Sequence, residues 1–279
     1  MVFLVVGAGI LGLIIGSFLT VVVKRIGTDE TIVFGRSHCI HCQKILSWYE
    51  LLPVLSFLAQ GGQCRLCHGR IPWVYPAIEL ITSGLFGLIA WGVLSGAIAD
   101  PPFVTGHWSL VTGHSFFRSF VFLYYAYFVG TAIAISFYDF LHRLIPNALV
   151  APLAIIGAIA TLAGWWQSGD SHYFLISIAV SCCLFLVFWS LWFFSRGLAM
   201  GRGDADAAFA IALFLGPLVG LIGSVFAFWI GSILGILLVG AKKLGFKSQI
   251  PFAPFLFTGA TAALFLAPVI LPYFAHLFW

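Results

Sequence analysis

Long apolar runs, each near the length needed to cross a bilayer, alternate with short polar breaks along almost the whole chain. They fall at Met1–Val23, Ala77–Ala99, Phe120–Tyr138, Ala148–Trp166, Tyr173–Phe194, Ala207–Gly223, Ser224–Ala241 and Pro254–Leu277. About 20 consecutive apolar residues make one membrane-spanning helix. The pattern therefore predicts an all-α, polytopic membrane protein with about eight transmembrane helices. Strand-like alternation is absent, which argues against a barrel, and helices satisfy their own backbone groups in lipid. The first run has no basic residue before it and is too long for the core of a cleaved signal peptide, so it is expected to be a retained span.

The one sizeable polar stretch follows this first span. It divides the chain into a first transmembrane helix (1–23), a loop domain (24–75) and a transmembrane helical core (76–279). Inside the loop lie Cys39-Ile-His-Cys42 and Cys64-Arg-Leu-Cys67. Each pair offers two thiolates from one tight turn, and two such pairs complete a tetrahedral Zn(Cys)4 site. A structural zinc could supply folding free energy that a loop this short cannot draw from a core of its own. A redox pair is the alternative, weakened because no βαβ pattern surrounds either motif. His38, His41 and His68 stand nearby, but four cysteines already suffice. The apolar, aromatic segment between the pairs, Leu46 to Ala59, is too short to span and is expected on the membrane surface or packed under the zinc ribbon.

Composition and charge place this architecture in a membrane. Hydrophobic residues make up 62% of the 279 and charged residues only 8%, with a mean hydropathy of +1.09, far too little polar surface for a soluble domain. Net charge is only +4, and no clustered basic face suggests nucleic acid as a partner. The lipid bilayer is the expected environment. Cytoplasmic loops are enriched in Lys and Arg. With both termini outside, all of the 13 Lys and Arg except Arg118 fall on the inner side, which makes the zinc loop cytoplasmic.

Ionisable groups at membrane depth are costly and usually functional. Asp139 closes the third apolar run, and Asp204 opens the sixth within Ala199-Met-Gly-Arg-Gly-Asp-Ala-Asp206. Both therefore lie near the inner face and could share a cleft. Two carboxylates a few ångströms apart share one proton, the state in which one activates water while the other protonates a carbonyl oxygen. Gly201 and Gly203 permit unusual backbone or close approach beside an extended substrate. A helix cap is the plainer role for either aspartate. Asp206, two residues beyond Asp204, points to the other side of a helix. Glu79, near the inner end of the second span, either serves a function or reaches headgroups. Trp48 and Tyr49 are as readily loop packing as ligand contacts, and Cys182 and Cys183 read as buried filling.

In sequence the chain resembles the type IV prepilin peptidases, membrane aspartic proteases of the GxGD type. The resemblance rests on Gly16-Ser-Phe-Leu19, Arg36-Ser-His-Cys39 with its paired knuckles, Trp48-Tyr-Glu50, Tyr75-Pro-Ala-Ile-Glu79, Asp139 with Ile145-Pro146, Gly201-Arg-Gly-Asp204, and Pro251-Phe-Ala-Pro-Phe255. It implies Asp139 and Asp204 as a catalytic dyad in the cytoplasmic membrane. The dyad would cut the basic leader of prepilins or pseudopilins after a glycine on the cytoplasmic side. It also implies S-adenosylmethionine-dependent methylation of the new N-terminus, for which Glu50 or Glu79 could orient the amine or accept its proton. The chain departs from the family pattern at Asp206, where lysine is usual, at Ala253 in place of glycine, and at Thr20 in place of asparagine. Two other classes remain: a proton-coupled transporter, and a membrane adaptor built on a zinc ribbon.

Overall fold

The computed structural model describes all residues except 29–30, 32–34, 105–114, 199, 243–249 and 279, and only the backbone of Ser115 and of 271–278. Ala199, the first residue of the glycine-rich stretch, is therefore outside the described residues. The described chain is helical: α1 (Val2–Arg25), a 3-10 turn at Trp48–Leu51, α2 (Leu55–Ala59), α3 (Val74–Ser95), α4 (Ser115–His142), α5 (Asn147–Ser168), α6 (Ser171–Ser195), α7 (Arg202–Leu215), α8 (Pro217–Gly240) and α9 (Ala253–Phe278). The chain divides into two compact units, one of 1–91 and 125–134, the other of 92–124 and 135–279.

Among the described residues seven helices are long and apolar enough to cross a bilayer. The expected sixth span is the exception. α7 has 14 residues, about 21 Å at 1.5 Å per residue, against a hydrocarbon thickness of about 30 Å. The break expected at Gly223 and Ser224 lies instead at Gly216 and Pro217. Gly216 takes φ 89, which only glycine adopts cheaply, and Pro217 begins α8 at a position where its missing N–H costs nothing.

In the first unit α1 lies directly on α3. A Cβ on Gly12 would come within 2.7 Å of Ser83 Cα, and one on Gly16 within 2.8 Å of Glu79 Cα. Small residues four apart let helix backbones approach this closely in a membrane.

The second unit is organised around α7. Ten of its residues, running from Asp204 to Leu215 with gaps only at Asp206 and Phe209, are buried. Its alanines allow tight contact: a Cβ on Gly157 of α5 would meet the Phe214 backbone at 2.6 Å, and one on Gly220 of α8 would meet Ala212 Cα at 2.6 Å. Because α7 is short, its last carbonyls end inside the protein and need partners. The Thr161 hydroxyl donates to the Leu213 carbonyl at 3.2 Å, and the Tyr124 hydroxyl donates to that of Phe214. Beyond this end lies the segment after α3, anticipated as the start of an outer loop. Its residues Pro101, Pro102 and Phe103 are buried, and the Ala99 N–H donates to the Leu264 carbonyl at 2.9 Å. Non-helical backbone at membrane depth is stable only when packed in protein this way.

Candidate active site and metal cluster

Three helix ends meet at the paired aspartates of the second unit. Asp139 lies in the last turn of α4, one turn before Arg143, whose φ of 55 ends the helix as its N–H donates to the Asp139 carbonyl at 2.7 Å. Asp204 lies in the first turn of α7, and its Oδ2 accepts the N–H of Gly201 at 2.9 Å. The third end is the start of α9, where the N–H of Ala253 donates to Asp139 Oδ2 at 3.1 Å. Both side chains are buried, and they are close enough for Asp204 to feel the charge of Asp139. The expected pair is thus brought together. Each carboxylate has its Oδ2 held by a backbone N–H.

The glycines act through close approach. Gly201 has an ordinary φ of −78, but a Cβ there would sit 3.3 Å from Asp204 Oδ2, and a Cβ on Gly203 would collide with Ile145 Cβ at 2.8 Å. Asp204, at the third position of α7, makes the capping bond to the N–H of Gly201, so the plainer role expected of it is met by this side chain. Asp206 is half-buried and belongs to neither aspartate's hydrogen bonds.

Sequence reasoning did not anticipate the role of the α9 terminus. The contribution of Ala253 is a backbone N–H, invisible in its side chain; the signal was the Pro251-Phe-Ala-Pro motif. Phe252 anchors it between Phe188 and Phe228, with ring centroids at 6.0 and 5.3 Å.

In the first unit the sulphurs of Cys39, Cys42, Cys64 and Cys67 all lie within 4.8 Å of one another, with Cys39 and Cys67 at 3.9 Å. Tetrahedral zinc with bonds of about 2.3 Å sets sulphurs about 3.8 Å apart, so this group could hold a metal ion. The two knuckles repeat one geometry. Gln43 and His68, each following the second cysteine, have φ of 57 and 54. The first cysteine's N–H in each donates across the turn, Cys39 to the Lys44 carbonyl and Cys64 to that of Gly69, both at 2.9 Å. Backbone N–H groups of Cys67 and Leu66 bring the Cys64 thiol down to about 6. Cys67 is pushed up to about 11: the Gly69 N–H favours its thiolate, but burial and the neighbouring sulphurs outweigh it. Opposite shifts within one cluster are what shared protons produce. The ring of His41 reaches the Arg70 carbonyl at 3.2 Å. Cys182 and Cys183, expected as buried filling, are exposed on α6, as is normal for a lipid-facing position.

Glu50 and Glu79 line one cavity of this unit. Glu50 Oε2 accepts the Ser47 N–H at 2.8 Å and Oε1 meets Lys44 Nζ at 3.3 Å, which together hold its carboxyl below the usual range, Ser47 contributing most. Glu79 Oε2 accepts the Val54 N–H at 2.7 Å. Val54 has φ 60 and ψ −46, a strained conformation for a β-branched residue.

Comparison with known proteins bears on what these groups do. The bacterial Peptidase A24 N-terminal domain family matches residues 10–93, and the type IV leader peptidase family matches 126–240. The chain is 30% identical to a prepilin leader peptidase/N-methyltransferase of Burkholderia pseudomallei over 92% of its length and 83% of the relative's. It is 29% identical to that of Bacillus subtilis over 91% of both. A stretch of 77 residues is 48% identical to that of Myxococcus xanthus, covering 28% of this chain and 23% of the relative. No solved structure matches the chain.

Proposed function

Since the chain belongs to the prepilin leader peptidase/N-methyltransferase family, we propose that Asp139 and Asp204 are the pair with which it cuts the leader from prepilins or pseudopilins. The observation that carries this is the meeting of both buried carboxylates at three helix ends, each tethered through one oxygen. In the singly protonated pair, the ionised carboxylate takes a proton from water as the water oxygen attacks the scissile carbonyl. The protonated partner gives its proton to the carbonyl oxygen. Collapse of the tetrahedral intermediate returns a proton to the departing amine, and the carboxyl and carboxylate exchange roles. Gly201 leaves room beside Asp204 Oδ2, and Gly203 lets Ile145 pack against the start of α7, which shapes the loop that carries the pair.

The chain sits in the inner membrane as a multi-pass protein. The placement of Lys and Arg supports a site facing the cytoplasm, where a basic leader is presented. The four cysteines hold a structural zinc whose binding orders the loop. S-adenosylmethionine supplies an electrophilic methyl group for the amine that cleavage exposes, and Glu50 or Glu79 orients that amine or takes up its proton. Nothing in the relatives favours a transporter or a zinc-ribbon adaptor.

Co-expression with a prepilin, followed by mass spectrometry of the pilin's N-terminus, tests the assignment. Asp139→Asn and Asp204→Asn each leave the leader in place while the protein accumulates normally, because acid and base act as one unit. Asp206→Asn still processes. An inactive Asp206→Asn beside an active Asp204→Asn would overturn it.

A further inference from the structure

The segment between the two cysteine pairs runs back alongside the spans it joins. Glu79, whose carboxylate holds the Val54 N–H at 2.7 Å, lies with its Cα against Gly16 of α1. Gly16 stands nine residues before the basic end of α1 at Arg25, or about 13 Å at 1.5 Å per residue. A glutamate side chain and one hydrogen bond together reach roughly 8 Å, so Val54 lies on the bilayer side of Arg25. Ser56 and Phe57 of α2 also face the same space as Ser17 and Val21 of α1. The segment therefore sits beside the last turns of a membrane span.

That depth demands a satisfied backbone. The N–H groups of Glu50, Ser56, Leu58 and Gln60 donate to the carbonyls of Ser47, Leu52, Val54 and Ser56 at 2.9 to 3.0 Å, that of Val54 donates to Glu79, and Pro53 has none to satisfy. The side chains divide between two directions. Phe57 is buried, its ring edge-on to Trp73 at 4.7 Å. Leu55 and Leu58 are each 65% exposed, Trp48 75% and Trp73 74%. Residues 35–74 carry Arg36, Lys44, Arg65 and Arg70 against Glu50 alone; Lys44 pairs with Glu50, and the three arginines are exposed.

We propose that the face of Trp48, Leu55, Leu58 and Trp73 is an interfacial anchor, seated among the lipids of the leaflet in which α1 ends and α3 begins, with the loop's arginines on lipid phosphates. Leucine and tryptophan on one face beside arginine is the composition of elements that lie in the bilayer interface, and anionic headgroups complement the loop's charge. The cysteine loop is thereby held to the membrane between its two helix ends as well as at them. Glu79 is the positioning residue of this anchor, because its bond fixes the strained turn at Val54 from which α2 starts. The proposal goes beyond the peptidase and methyl-transfer readings and needs neither.

The test replaces Leu55, Leu58 or Ile14 singly by photoreactive benzoylphenylalanine in the full-length chain. Each protein is reconstituted in nanodiscs of phosphatidylethanolamine and phosphatidylglycerol, irradiated and analysed by mass spectrometry. Ile14, 56% exposed on α1, is the acyl-chain standard. Lipid adducts at positions 55 and 58 form within about 3-fold of the yield at position 14, as expected of side chains seated in lipid. Adducts that join two copies of the chain would make the face a self-association surface and overturn the proposal. Adducts at 14 with none at 55 and 58 would mean a water-facing surface and overturn it too. Leu55→Asp combined with Leu58→Asp, both at exposed positions, gives an independent readout. Amide hydrogen exchange across 47–60 in nanodiscs rises by about 10-fold or more, since charge at this depth is expelled, while exchange across 2–15 stays as it was. Unchanged exchange across 47–60 would overturn the proposal. Lipid contact is read whichever side of the membrane the loop occupies, so these outcomes are distinct from failure of the cytoplasmic placement.

Discussion

The backbone N–H of Ala253 lies 3.1 Å from Oδ2 of Asp139, 114 residues away in the sequence. The first turn of α9 thereby orients a carboxylate that belongs to the last turn of α4. Replacing Ala253 by proline deletes this donor at a position where a helix tolerates proline. The expected result is a fall in kcat of about 10- to 100-fold, as for loss of one hydrogen bond to a charged group, with KM nearly unchanged. Ala253→Gly keeps the N–H and keeps the activity. Steady-state kinetics on a prepilin substrate separate the two, and a normal kcat for the proline variant would remove the α9 terminus from the site.

Gly16 and Gly7 lie on the same helix but differ in what they face. A methyl group on Gly16 would stand 2.8 Å from Glu79 Cα and 2.9 Å from Thr82 Oγ1, whereas one on Gly7 would meet nothing within 4 Å. Gly16→Ala is expected to cost about 1–3 kcal/mol through overpacking. Gly7→Ala is expected to be neutral or to stabilise by up to about 1 kcal/mol. Thermal unfolding of the purified variants in one detergent checks both.

Metal analysis should find one zinc per chain. Changing Cys39, Cys42, Cys64 and Cys67 to serine removes it and lowers accumulation, because the ion organises the loop. Changing Cys182 and Cys183 leaves the zinc in place. A full complement of zinc in the fourfold serine variant would end the assignment.

Glu50 gives the loop a defined response to acid. Its carboxyl is held below the usual value of 4.5 by the Ser47 N–H and then by Lys44, so its stabilisation is complete above that value and is lost as pH falls through the lower, folded-state value. The melting temperature of the unaltered chain should therefore exceed that of Glu50→Gln by about 1–2 °C above pH ~4.5. The gap closes at more acid pH. A gap that widened on acidification would reverse the assigned sign.

The helices were legible because a bilayer demands apolar runs of fixed length, and the knuckles because tetrahedral coordination demands Cys-x-x-Cys twice. Asp139 and Asp204 stood out as charges where charge is expensive. The turn at Gly216 and Pro217 is hard to read in the sequence because apolar residues flank it on both sides and no polar loop marks it, although glycine followed by proline carries the chemistry of a helix end. The convergence of Glu50 and Glu79 on one cavity depends on how closely Gly12 and Gly16 let α1 approach α3, a relation between distant segments. The Ala253 contribution comes from the main chain, so no side chain could announce it.

The closure at the far end of α7 bears on permeability. Titratable carboxylates partway into a bilayer are the elements from which proton channels are made, and an enzyme that uses them must avoid short-circuiting the membrane. Here the path beyond α7 is stopped by aromatic rings: Phe103 sits edge-on to Tyr124 at 5.0 Å, and Tyr124 stacks on Phe214 at 4.0 Å. The Phe214 and Leu213 carbonyls there already accept from Tyr124 and Thr161. With that end packed, proton exchange with the aspartates is expected from one side only, leaving the ion gradient across the membrane intact.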